Sequence, residues 1–177
     1  MRIRSLTSLL VVAAISACAP DDPPNASRDI DTAANPSTDS AYAAVQERGR
    51  DVMGVDQYTS QHVFEDLLDG GRIILERADS SDVAAIAQIR QHMQEIHADF
   101  TRGDFSKPFG VHAQQVPGTP VMTARRDSLK YEVIERSKGA ELRIMTSDPV
   151  ALAAVHEFLA FQRMDHRAAG HEGHDGH

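Results

Sequence analysis

Shifting the sequence against itself by 69 positions carries Gly70 onto Gly139, Asp79 onto Asp148 and His97 onto His166 without a gap. The same shift pairs Phe64 with Val133, Ile73 with Leu142, Leu75 with Ile144, Ile86 with Val155 and Ile89 with Phe158. Self-similarity restricts the fold, because both copies must form the same supersecondary unit. The first copy reads as two strands, His62–Leu68 and Ile73–Arg77, around Asp69-Gly70-Gly71, followed by a helical run from Asp82 to about Thr101. The second reads as Tyr131–Arg136 and Glu141–Thr146 around Ser137-Lys138-Gly139, then a helix from Pro149, a favoured first-turn residue. A lone hairpin is marginal and each helix has one apolar face, so the units gain most by sharing a core. The expected fold is α+β: two β-hairpin–helix units, 62–101 and 131–166, forming one antiparallel sheet with two helices packed on one face.

The repeat occupies most of a domain expected over 41–166, and 177 residues leave room for one such domain plus flanking segments. The first flank carries an address. Arg2 and Arg4 precede an apolar run from Leu6 to Ile15 that is too short to span a bilayer as a helix, so residues 1–17 read as a secretory signal. Ile15-Ser16-Ala17-Cys18 resembles the bacterial lipoprotein box, which implies an acyl group on the Cys18 sulfur and cleavage before it. Residues 18–40 are poor in large apolar side chains and read as a lipidated flexible tether. A short helix is expected after Asp39 or Ser40, stopping at Gly49. Ala19 follows the cysteine where an Asp would signal inner-membrane retention. The expected location is therefore the bacterial cell envelope, lipid-anchored and facing the periplasm, with the outer membrane favoured. Membrane lipid is one partner.

Between the units, Gly103–Thr123 carries three prolines and three glycines and reads as a long loop bearing Phe105, Phe109 and His112. Cys18 is the only cysteine, which excludes an internal disulfide, a Cys–Cys zinc site and a CxxCH haem attachment. The net charge is −8, and loss of Arg2 and Arg4 with the signal makes it −10, so nucleic acid is not an expected partner. Metal cations or basic partners fit this balance better.

Histidine is the chemical signal. His171, His174 and His177 recur every third residue among Gly170, Gly173 and Gly176, with Glu172 and Asp175 adding oxygen donors; His166 stands just upstream. Imidazole ligates copper, zinc and nickel, and a short His-rich tract such as 167–177 is a compositional metal-binding signal. A second set lies in the folded part: His62, His92, His97, His112 and His156. His92 and His97 are five apart, so they flank the apolar helix stripe from opposite sides and diverge. His92 and Glu95 share a face. A core metal site would draw on His62, His92 and His112 with Glu95. His156 reads equally well as a core-edge residue satisfied by a hydrogen bond. Met53, Met93, Met122, Met145 and Met164 are read as core filler ahead of thioether ligands for Cu(I).

Met53–Gln57, Thr59–Phe64, Asp69-Gly70-Gly71, Ile89–His92, Gly103–Phe105, Val111-His112, Pro117-Gly118, Asp148–Leu152, His156–Leu159 and Phe161-Gln162 together resemble an uncharacterised family of small exported bacterial proteins, over roughly Arg48–His166. That family's pattern has two adjacent histidines before the phenylalanine and another three residues after the one matching His92. Gln61, Val63 and Glu95 mark the departures here. The aspartate carbamoyltransferase label that some relatives carry finds no support, since the chain lacks the length and the Ser-Thr-Arg-Thr phosphate loop of that enzyme. His156-Glu157-Phe158-Leu159-Ala160 begins like a zinc-protease helix but lacks its second histidine, and no GxSxG elbow, Walker loop or dinucleotide glycine pattern occurs. The leading expectation is a membrane-anchored lipoprotein that binds transition-metal ions. The alternatives are a small-ligand-binding protein or enzyme using His62, His92 and His112 in a cleft, and an accessory lipoprotein whose partner is another envelope protein.

Overall fold

The computed structural model describes residues 36–170. Cys18 and the tail histidines His171, His174 and His177 lie outside the described residues. Helix α1 (Pro36–Met53) is followed by strands β1 (Ser60–Leu67) and β2 (Gly70–Arg77), and by helix α2 (Val83–Thr101). Two short helices, α3 (Ser106–His112) and α4 (Thr119–Ala124), and one 3-10 turn (Arg126–Ser128) lead to β3 (Leu129–Arg136), β4 (Gly139–Thr146) and α5 (Pro149–Asp165). The four strands form one antiparallel sheet in the order β1-β2-β4-β3. The fold is α+β, as the repeat implies.

The sheet registers carry the repeat further than composition could. Ser60 pairs with Arg77 in one hairpin and Leu129 with Thr146 in the other, so the same 69-residue shift superposes both ladders. At the centre Ile73 pairs with Leu142, its own repeat equivalent, which places an approximate two-fold axis through that pair. Gly70 and Gly139 are required there by close approach. A Cβ on Gly70 would lie 2.0 Å from the Ile144 carbonyl oxygen, and one on Gly139 would lie 2.0 Å from that of Leu75. Ile144 and Leu75 are themselves repeat equivalents, so both glycines answer one symmetric constraint.

One face of the sheet carries the core. Phe64, Ile73, Leu75, Leu142 and Ile144 alternate inward and meet Ile89, Met93 and Phe100 of α2 and Val155, Phe158 and Leu159 of α5. Full burial of a side chain such as Phe158 contributes about 1.5–3 kcal/mol. The opposite face is laced by ion pairs: Arg72–Glu65 and Arg136–Glu141 join neighbouring strands, and Arg136–Glu76 reaches from β3 over β4 to β2. Asp82 caps α2 by accepting from the Ala85 N–H, and Asp148 caps α5 by accepting from Val150 and Ala151.

Three local expectations are corrected. Helix α1 begins at Pro36, inside the stretch read as tether, and runs through Gly49, since one internal glycine costs only about 1 kcal/mol. It ends at Gly54, whose φ of +65° and N–H bond to the Arg50 carbonyl close the helix. The segment Gly103–Thr123 is not structureless: it holds α3 and most of α4, helices too short for a periodic signal. Helix α2 follows Asp82, where the helical run was expected to begin, while Asp79 forms a turn onto Ser81, so α2 starts three residues later than exact repetition of α5 would place it. Residues 167–170 are not free tail. Ala168 packs on the core, and the Ala169 carbonyl accepts from the Phe64 N–H at 3.0 Å, adding a short parallel bridge to β1. No helix among the described residues is long and apolar enough to cross a membrane.

Candidate functional site

His62 is the third residue of β1, on the same face as Phe64 and Asp66, and therefore points toward the helices. His92 lies on the buried stripe of α2 beside Met93 and is 6% exposed. His112 ends α3, where the Arg48 guanidinium from α1 donates to the Val111 carbonyl at 2.7 Å and fixes that helix end. His166 caps the C-terminus of α5, and the chain then turns through Arg167, at φ +48°, onto β1. These four side chains line one cavity of about 60 Å³, together with Met53, Met93, Gln162 and the rings of Phe64, Phe100 and Phe158. A single water needs about 10–15 Å³ by this measure, so the space admits several waters or a small ligand.

The rings are in contact. His62 stacks on Phe64 at 5.6 Å and on His166 at 5.0 Å, and His166 meets His112 edge-on at 5.0 Å. The Asp165 carboxylate bonds His112 Nδ1, and the Gln162 side-chain oxygen lies 3.0 Å from His112 Nε2. A neutral imidazole has one N–H and can donate to only one of these two acceptors. The Nδ1 atoms of His92 and His166 are buried without a hydrogen-bond partner. Burial, with the neighbouring histidines adding to it, lowers the pKa of His62 to about 4 and that of His166 to about 2. Burial likewise takes His92 to about 4, against a small upward pull from Glu95. These three rings are neutral bases at pH 7, with lone pairs that protons do not occupy.

The carboxylates around the cavity are already committed. Asp66 and Arg163 form a buried two-point pair at 2.9 and 3.2 Å, and Asp99 pairs with Lys107. Glu95 does not line the cavity. It accepts from Gln91 at 3.1 Å and lies 3.7 Å from the Lys107 ammonium, in a shallower depression on the other side of His92. No carboxylate lines the cavity itself, and Lys107, its lining cation, is paired with Asp99 and Glu95.

The two halves differ here. The repeat shift puts Tyr131 where His62 stands, Phe161 where His92 stands, Gln162 where Met93 stands, and His97 where His166 stands. In the second half that space is filled: Tyr131 lies edge-on to Phe100 at 5.9 Å, and His97 Nε2 faces the Tyr131 carbonyl at 3.3 Å. His156 is structural too, since its Nε2 sits 3.1 and 2.9 Å from the Leu67 and Gly70 carbonyls and ties the first hairpin turn to α5.

Sequence reasoning grouped His92, His112 and His62, and the structure brings them together. It adds His166, which the sequence placed with the tail, Gln162 and Asp165, which the sequence did not single out as site residues, and Met53 and Met93, read from sequence as core filler ahead of thioether ligands. Among the described residues, no three His, Cys, Asp or Glu side chains already stand in ligand geometry about one point. The imidazoles stack on one another, with Gln162 occupying the second nitrogen of His112. No family model, curated protein or solved structure matches the chain, so the family resemblance rests on its motif residues alone.

Proposed function

We propose that this protein is an envelope lipoprotein, acylated at Cys18 and facing the periplasm, that binds a transition-metal ion in the cavity of His62, His92, His112 and His166. The observation that supports this reading is the convergence of four imidazoles on one buried cavity, two of them with unpartnered Nδ1 atoms. Unprotonated imidazole is the commonest protein ligand for copper, zinc and nickel. The Asp165–His112 pair has the form in which a carboxylate holds one ring nitrogen so that the other presents its lone pair to a metal. His112 through Nε2, which now faces Gln162, together with His62, His92 and His166 would hold the ion. The His171, His174 and His177 tail supplies weaker sites, for which protons compete below about pH 6.5.

Calorimetric titration of the detergent-solubilised mature protein with all three tail histidines changed to Ala tests the reading. One ion per chain should remain, and His166→Ala and His92→Ala should each remove it. Absence of any copper, zinc or nickel binding at micromolar concentration would sink the cavity as a metal site. The second reading, acid–base chemistry on a small ligand, draws on the same Asp165–His112 pair facing an enclosed apolar space. It would then be the one to pursue.

A further inference from the structure

We infer that the ion this cavity selects is soft and monovalent, Cu(I), held by imidazole nitrogen together with the thioether sulfurs of Met93 and Met53, in preference to Zn(II) or Ni(II). This rests on the metal-binding reading above and deepens it.

Charge makes the first argument. Every carboxylate near the cavity has a cationic or imidazole partner: Asp66 with Arg163, Asp99 and Glu95 with Lys107, and Asp165 with His112. The groups facing the space are imidazoles, an amide, thioethers, phenyl rings and aliphatic side chains, with Lys107 and no carboxylate among them. An ion that enters keeps its full charge against a mostly apolar lining that returns little of the hydration it gives up. The cost of desolvation rises with the square of that charge, so a dication suffers about four times the penalty of a monocation.

Ligand softness makes the second. Met93 is 1% exposed and its neighbour on the stripe is His92, so a thioether and an imidazole reach the space from one turn of α2. Met53 enters from the end of α1. Thioethers select Cu(I) and offer little to Zn(II) or Ni(II).

The test uses the mature protein with His171→Ala, His174→Ala and His177→Ala, so that only the cavity reports. Cu(I), supplied as such without oxygen and in competition with a chromogenic chelator, and Ag(I) should bind one per chain. Zn(II) and Ni(II) should bind at least about 100-fold more weakly. Met93→Leu preserves volume and should weaken Cu(I) about 10-fold or more while leaving Zn(II) unchanged. Met53→Leu, at the partly exposed end of α1, provides the same comparison should Met93→Leu fail to fold by circular dichroism. Zn(II) binding as tight as Cu(I) overturns the inference and leaves the metal-binding reading standing. No ion bound overturns both. Tight Cu(I) binding that survives Met93→Leu and Met53→Leu together overturns the thioether assignment.

Discussion

Imidazole rings buried next to one another have a consequence for stability that belongs to single residues. His62, His92 and His166 titrate well below 6.5 when folded and near 6.5 when unfolded, because burial disfavours the charged ring and neighbouring histidines add to that. The neutral form is favoured in the fold, so their contribution is fully present above pH 6.5. It is lost as pH falls from 6.5 toward 4, where the unfolded rings take protons that the folded ones refuse. At pH 5 the loss is up to about 2 kcal/mol per ring. The groups facing them, Glu95, Asp99 and Asp165, are paired with Lys107 and His112 and offset little of this. Urea unfolding of the metal-free protein should show a markedly lower midpoint at pH 5 than at pH 7.5, and His166→Gln should shrink the difference. Equal midpoints at the two pH values would show that these rings are not held neutral by the fold.

At the scale of elements, the strap formed by residues 167–170 decides whether His166 enters the cavity. Its hold on β1 consists of the Phe64 N–H bond to Ala169, the Arg163 guanidinium donating to the Phe64 carbonyl, and Arg167 bridging to Asp39 and the Tyr42 ring of α1. Gly170 sits at φ +137°, and a Cβ there would lie 1.8 Å from the Phe64 carbonyl oxygen. Gly170→Ala should therefore release the strap, cost about 1–3 kcal/mol of stability and weaken the cavity site more than the tail sites. Hydrogen exchange at the Phe64 amide measures it directly. Protection equal to that of the unaltered protein would mean the strap closes without this glycine. A truncation meant to remove only the tail should follow Gly170, because one after Arg167 would take Ala168 from the core.

For the whole molecule, the proposed address and the domain are separable, since the proposed anchor would rest on Cys18 and the cavity is built from residues of the sheet and its helices. Cys18→Ser should move the protein from the membrane fraction to a soluble or uncleaved pool with the metal site retained. Unchanged fractionation and unchanged mass would refute lipidation. What the sequence determined by itself was local and periodic: both hairpins, the two long helices, the divergence of His92 and His97, and the equivalence of Ile73 and Leu142 in the two halves. Turn chemistry, strand alternation and helical spacing act over a few residues, so they can be read along the chain. Tertiary structure decided the rest. His62 meets His166 and His112 meets Asp165 only because α5 returns across the sheet to β1, contacts that no local period encodes. The same return turned His166 from a tail residue into a cavity wall, gave Met93 and Gln162 equivalent places in it, and filled the corresponding space in the other half with Tyr131.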